Sequence, residues 1–263
     1  MKTPNSIQLL ISTMFLDNPI LLLKKMRVNS DAIIINQCDN NQITKLMFND
    51  HNIIVISTTE RGLSKSRNLA LRYSTSDIII IADDDFEYTD NYINLIRKEY
   101  ETAQHADLII FNAEKSDGTL YKRLTRKVRG LEFYKINSIR ITIKRQSLLN
   151  NSIFFDERFG AGTRFNLGED TLFIDQCRKN KLIILSSNII ICKSLNYRSS
   201  TWFSGYNKEY FYNLGAFYKH LSPKLYRLMI LYFAITKYAL YKNEVKFIHA
   251  IKCMKEGSLE CIK

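Results

Sequence analysis

The stretch "DIIIIADDDFEYTD", residues 77–90, decides the fold. Four isoleucines and an alanine, 78–82, run straight into three aspartates, Asp83, Asp84 and Asp85. A short, β-branched run that is apolar at every position reads as a strand buried on both faces of a largely parallel sheet. The aspartates that end it are costly. Two carboxylates about 4 Å apart repel by about 4 kcal/mol at an effective dielectric of about 20. A solvated turn would screen that repulsion, with Asp90 simply favouring the start of the next helix. A hard divalent cation such as Mn²⁺ or Mg²⁺ would instead make it the reason for a site. From this stretch alone the two readings stand together.

Similar apolar runs occupy residues 7–13, 31–37, 52–58 and 106–112, and helical patterns separate them. "NPILLLKKM" follows the first run and "SKSRNLALRYS" precedes the isoleucines. "DNYINLIRKEYETA" follows the aspartates, with Tyr92, Leu95, Ile96 and Tyr100 at helical spacing behind Thr89 as the expected N-cap. Alternation of strand and helix predicts an open α/β sheet flanked by helices. The opening "MKTPNSIQLLISTMF" reads as a first strand and not as a signal peptide. No run approaches the roughly 18 apolar residues of a spanning helix.

Beyond residue 113 the alternation fades into a basic stretch, "EKSDGTLYKRLTRKVRG", and then a strand-like "SIRITIKRQ". From about residue 200 the chain is dense in aromatics and lysines and predicts two or three helices. The expected division is therefore a catalytic domain over 1–200 and a C-terminal helical region over 201–263. A net charge of +12 draws the protein toward nucleotide phosphates, nucleic acid or an anionic membrane surface. No recognised nucleic-acid-binding motif is present, which argues against that partner. Five scattered cysteines without a CxxC pair indicate neither a disulfide framework nor a zinc site, and suit a reducing cytoplasm.

In an open α/β sheet ligands bind outside the carboxyl ends of the strands, where the aspartates lie. Asp83 and Asp85 are two residues apart, so an extended backbone would point both at one ion and Asp84 elsewhere. In "RGLSKSRN", residues 61–68, Gly62 permits a tight turn, Ser64 offers a cap, and Arg61, Lys65 and Arg67 gather positive charge. Alone, that segment would be an ordinary cationic loop. Downstream, "DERFGAGTRFNLGEDTLF" holds three of the nine glycines before Glu169 and Asp170. An acidic pair opening a helix often only complements the dipole. The glycines suggest close approach to a ligand, with a carboxylate placed to take a proton from a hydroxyl.

Taken in order, "RGLSKSRNLAL", "DIIIIADDD" and "FDERFGAGTRFNLGEDTLF" resemble the family 2 glycosyltransferases of the GT-A fold, in particular bacterial enzymes that build capsule, O-antigen or other surface glycans. The resemblance covers roughly residues 5–200. It implies a nucleotide-sugar donor, favouring UDP, a divalent metal, and transfer with inversion at the anomeric carbon, as in a hexosyltransferase. By position it implies a DxD motif from Asp83 to Asp85, with Asp85 and Asp83 at the metal and Asp83 and Asp84 near the nucleotide. It assigns the base to Asp170, with Glu169 as the alternative. Ser12, Thr13 and Asp39 match places that hold the base and ribose, and Arg61, Gly62 and Arg67 match the turn beside the nucleotide. Trp202, the only tryptophan, has the flat face to stack on an acceptor sugar, although a lone tryptophan beside an aromatic-rich tail more often only packs, and Gly168 is the other acceptor candidate. One departure stands out. Relatives often carry a histidine after the next strand, where this chain has Cys192, Lys193 and Asn196, leaving Lys193 or Asn196 to replace it.

The implied acceptor is a glycan, expected to be a lipid-linked oligosaccharide at the inner face of the plasma membrane. The tail, with Lys, Arg and Tyr among apolar residues from 217 to 252, suits an anionic membrane surface, or else packing on the catalytic domain or on a second copy of it with the lysines merely solvated. A different class of function is a non-catalytic relative that binds a glycan or a partner transferase. The altered histidine position favours it, and the intact "ADDD" and "GED" oppose it.

Overall fold

The apolar runs become strands in the computed structural model, which describes residues 6–195 and 203–260. β1 (Ile7–Met14), β2 (Asp31–Gln37), β4 (His51–Thr58) and β5 (Ile78–Asp83) are mutually parallel. β3 (Gln42–Phe48) folds back on β4, and β8 (Ile141–Lys144) lies antiparallel between β5 and β7 (Leu108–Glu114). β9 (Ile184–Ser194) runs parallel to β7, and the three-residue β6 (Phe86–Tyr88) closes the far edge antiparallel to β9. One mixed sheet results, in the order β3-β4-β2-β1-β5-β8-β7-β9-β6.

Alternation along β5 shows why its isoleucines are uninterrupted. Ile78 and Ile80 enter one core with Leu9, Ile34 and the helix α3 (Tyr92–Thr102), while Ile79 and Ile81 enter another with Ile33 and the helix α2 (Leu63–Tyr73). All four are fully buried. Each such side chain contributes about 1.5–3 kcal/mol. A single charge on either face would therefore break the strand. The first core also takes α1 (Pro19–Lys25), capped by Asn18, whose Oδ1 accepts from the Ile20 and Leu21 N–H groups at 2.9 and 3.2 Å. The second takes α4 (Arg145–Asn150) and α5 (Glu169–Lys179).

Two expected caps serve other ends. The α3 N-cap is Asn91, and Thr89 instead donates its N–H to Ile191 O at 2.9 Å, fastening the loop to β9. Ser64 lies inside α2, whose N-cap is Gly62, and donates its hydroxyl to Phe159 O at 2.5 Å.

The C-terminal helices are α6 (Lys208–Leu221), α7 (Tyr226–Thr236), α8 (Tyr238–Tyr241) and α9 (Phe247–Glu260). They bury Phe211, Phe217, Ile230 and Met254 in a third core together with Phe159, Phe165 and Leu167 from the glycine-containing segment before α5 and Leu172 from the first turn of α5. α6 and α9 cross with backbones in contact: a Cβ on Gly215 would lie 1.8 Å from Met254 O, and one on Gly257 1.8 Å from Tyr212 O. Among the described residues no helix is long and apolar enough to cross a membrane.

Candidate active site

The parallel strands deliver their carboxyl ends to one edge of the sheet. There, β1 contributes Ser12 and Thr13, β2 contributes Gln37, and β5 contributes Asp83 to the wall of a pocket of about 600 Å³. Glu169 and Asp170 from the start of α5 line the same pocket.

α2 is the organising element, which explains the polar residues in its buried face. Ser66 donates to Ser12 Oγ at 2.9 Å. Asn68 donates to Phe155 O at 2.9 Å and accepts from the Phe155 N–H at 2.8 Å, fixing the segment that leads to α5. Arg67, 1% exposed, lies between the two acidic groups. Its Nη1 donates to Asp170 Oδ1 at 2.7 Å and its Nη2 to Asp83 Oδ1 at 3.0 Å, with Glu169 Oε1 3.7 Å away. Burial alone would lower the Arg67 pKa, but Asp83, Asp170 and Glu169 outweigh it and hold the guanidinium above its ordinary value. The expected phosphate-facing cation is thus committed to carboxylates inside the protein.

Ser138 completes this arrangement from across the sheet. Its backbone N–H donates to Asp170 Oδ2 at 2.8 Å, and its hydroxyl to Asp83 Oδ2 at 3.3 Å. Each Asp170 oxygen therefore accepts one hydrogen bond and keeps a further lone pair. Nothing in the sequence singled out Ser138 or Tyr121, another pocket residue; they arrive through the β7–β8 pairing, which no local pattern announces.

The three aspartates have three environments. Asp83 is held by Arg67 and Ser138. Asp84 accepts the Thr13 hydroxyl at 2.6 Å. Asp85 keeps its buried Oδ1 without a hydrogen-bond partner, an arrangement that costs free energy unless a ligand or cation completes it. Asp84 and Asp85 form the turn between β5 and β6, so the alternation expected of an extended segment stops at Asp83 and all three line the pocket. Burial first, then Asp83 and Asp84, pushes Asp85 up to about 6. Glu169 is pushed up to about 7 by burial and then by Asp170, and Asp170 is raised by burial against the pull of Arg67.

Among the described residues no three His, Cys, Asp or Glu side chains are grouped to hold a metal unaided. The donor set still fits a hard cation bound through one carboxylate and oxygens of a ligand, which is how Mg²⁺ usually binds beside phosphates. Asp85, with its unpartnered oxygen, suits that role. Asp83, expected to share the ion, has both oxygens engaged by Arg67 and Ser138. Five carboxylates line this pocket, so a diphosphate entering it needs its charge offset.

The model of Glycosyl transferase family 2 matches residues 27–171, more than half of the chain. The chain belongs to this family. No curated protein matches it in sequence. Among solved structures it resembles S. aureus TarS 1-349 in complex with UDP-GlcNAc, with a TM-score of 0.67 and 15% identity over 97% of this chain and 82% of that one. TarS 1-349 in complex with UDP is similar at a TM-score of 0.60 and 15% identity, covering 98% and 83%. The longer S. aureus TarS structure aligns at 0.58 and 15% identity, over 98% of this chain and 43% of that one. The fold is GT-A: an open mixed sheet flanked by helices.

Several residues expected at the ligand of this family 2 glycosyltransferase use their polar groups within the protein, although Arg61 and Gly62 line the pocket. Arg61 donates to Asp39 Oδ1 at 2.6 Å and to the Cys38 and Thr59 carbonyls at 2.8 and 2.9 Å, so it clasps the ends of β2 and β4 at the pocket rim. Asp39 itself is 85% exposed. Gly62 uses its N–H on Gln37 Oε1 at 2.7 Å. Gly168 has φ +96, and a Cβ there would lie 2.3 Å from a Phe217 ring carbon, so its close approach is to α6 and not to an acceptor. Lys193 faces Glu87 across the β6–β9 pair, with Nζ 3.2 Å from Oε2, while Ser194 lines the pocket. Asn196 and Trp202 lie outside the described residues.

Proposed function

We propose that this protein is an inverting glycosyltransferase that moves a sugar from a nucleotide-sugar, of the UDP class, to a hydroxyl of a glycan acceptor carried on a lipid. The observation that carries this reading is the convergence of Asp83, Asp84 and Asp85 with Glu169 and Asp170 on one pocket at the carboxyl edge of a GT-A sheet.

In the proposed reaction Asp170 accepts the proton of the acceptor hydroxyl while that oxygen forms its bond to the anomeric carbon. The bond from that carbon to the diphosphate oxygen breaks, and the nucleoside diphosphate leaves with the electron pair. Arg67 and the Ser138 N–H fix the carboxylate without consuming its remaining lone pairs, so no reorganisation is needed at the moment of transfer. Glu169, with a pKa near neutrality, is the second candidate for the proton. Ser12, Thr13 and Asp84 form the side on which the nucleoside would rest. Asp85 would hold Mn²⁺ or Mg²⁺, whose bound charge offsets that of the diphosphate.

Thermal shift with UDP, GDP, CMP and dTDP, each with and without Mn²⁺, tests the donor side. Stabilisation by UDP that requires Mn²⁺ and disappears in Asp85→Ala is the expected result. UDP binding without release of UDP in the presence of donor and acceptor would favour a non-catalytic glycan-binding relative. Absence of any nucleotide effect would remove the donor site altogether.

A further inference from the structure

α7 presents two unlike faces. Ile230 and Ala234 are buried in the third core, and the opposite side exposes Leu228 at 65%, Leu231 at 47%, Tyr232 at 69% and Ile235 at 59%. These four residues, spaced at three, four and seven, form one stripe along the helix. Leu225 at its start and Tyr238 and Leu240 just beyond its end extend the apolar surface. Isolated exposed leucines need no explanation; a continuous stripe does.

The charge around the stripe identifies what covers it. From residue 210 to 243 the chain carries Lys219, Lys224, Arg227, Lys237 and Lys242 and no Asp or Glu. Lys224 and Arg227 flank the start of α7 and Lys237 and Lys242 follow its end, all four exposed. A second copy docked by the same face would bring these cations against their equals. An anionic lipid surface complements both parts, taking the apolar stripe at its acyl boundary and the cations among its headgroups, with Tyr232 suited to the interface between them.

We infer that the exposed stripe of α7, with its basic flanks, is a docking surface for an anionic membrane, onto which the protein lies without spanning it. At 11 residues α7 is too short to cross a bilayer but long enough to lie along one. The surface also has a defined relation to the pocket. α7 packs on α6, and α6 carries Phe217, which touches Gly168 beside Glu169. Docking therefore orients the pocket relative to the lipid. The inference concerns lipid binding alone and is independent of sugar transfer.

Co-sedimentation of the full chain with phosphatidylcholine vesicles, and with vesicles of equal parts phosphatidylcholine and phosphatidylglycerol, tests it. Binding to the anionic vesicles, weakened by salt and absent from pure phosphatidylcholine, is expected. Leu231→Glu with Ile235→Glu should lower the partition coefficient by about tenfold or more, and a Lys224, Arg227, Lys237 and Lys242 to Gln variant by about fivefold per residue removed. Both act on exposed positions, and a circular-dichroism melt checks that the fold is retained. No binding to anionic vesicles, or unchanged binding by a folded Leu231→Glu, Ile235→Glu variant, overturns the inference. So does a dimer in light scattering that the same variant dissociates, because the stripe would then be covered by a second copy. These readouts involve no donor or acceptor, so their failure leaves the transfer reaction untouched.

Discussion

Replacing Glu169 by Gln should make the protein more stable at alkaline pH and leave it nearly unchanged in acid. Its side chain is 15% exposed, and its pKa is pushed from 4.5 up to about 7 by burial and then by the neighbouring Asp170. A carboxyl that holds its proton more tightly when folded favours the fold at low pH. That contribution is complete below the unfolded pKa and is lost as the pH rises through the folded one. At about 1.4 kcal/mol per pH unit, the interval between 4.5 and about 7 amounts to about 3 kcal/mol. Glutamine keeps the shape but does not titrate, so it removes this penalty while giving up only a 3.7 Å contact with Arg67. Urea unfolding of both proteins across pH 4 to 8, on the scale of about one measurement per pH unit, reads the difference directly. Stability curves that diverge by about 3 kcal/mol in favour of the variant toward pH 8 are expected. Parallel curves, or a variant that loses ground as the pH rises, would refute the reasoning. The same variant informs the chemistry, since transfer should survive Glu169→Gln and fail in Asp170→Asn if Asp170 takes the proton.

Two further substitutions probe the frame around the pocket. Arg67→Met leaves the partly buried Asp83 and Asp170 without their shared counter-charge, and should cost about 3 kcal/mol at neutral pH and less in acid, where the carboxylates can protonate; a calorimetric melt showing a loss under about 1 kcal/mol would mean that Arg67 does not hold the pocket together. Gly215→Ala places a methyl group 1.8 Å from Met254 O, where backbone alone can yield, and should cost about 3 kcal/mol or more; an unaltered melting midpoint would show that α6 and α9 separate easily.

Much of this architecture was legible because burial on both faces leaves a continuous apolar signature, as in β1, β2, β4 and β5. The elements that escaped lack that signature. β3 is mostly exposed along "QITKLMF", and β6 has only three residues, so neither carries enough apolar pattern to stand out. The acidic clusters were legible as local oddities, and the structure brings both to one pocket. Their partners were harder to foresee. Arg67 had the sequence of a phosphate contact, yet its bond to Asp170 spans 103 residues and turns it inward. Ser64 and Thr89 had the chemistry of helix caps and spend it on distant carbonyls instead, because a tertiary acceptor was within reach. The glycine at 168 suggests room for a ligand; the space is filled by Phe217, some fifty residues later in the chain.

The third core bears on how such a protein can be recombined. Phe159, Phe165, Leu167 and Leu172 precede or open the helix that bears Glu169 and Asp170, yet the surface that shelters them comes from α6, α7 and α9. A chimera joined near residue 200 would import helices shaped for another loop, and the first thing to shift would be the turn at Gly168. Exchange of the C-terminal helices among relatives is therefore coupled to exchange of residues 159–172, and the two segments travel as one inheritable unit although more than thirty residues separate them.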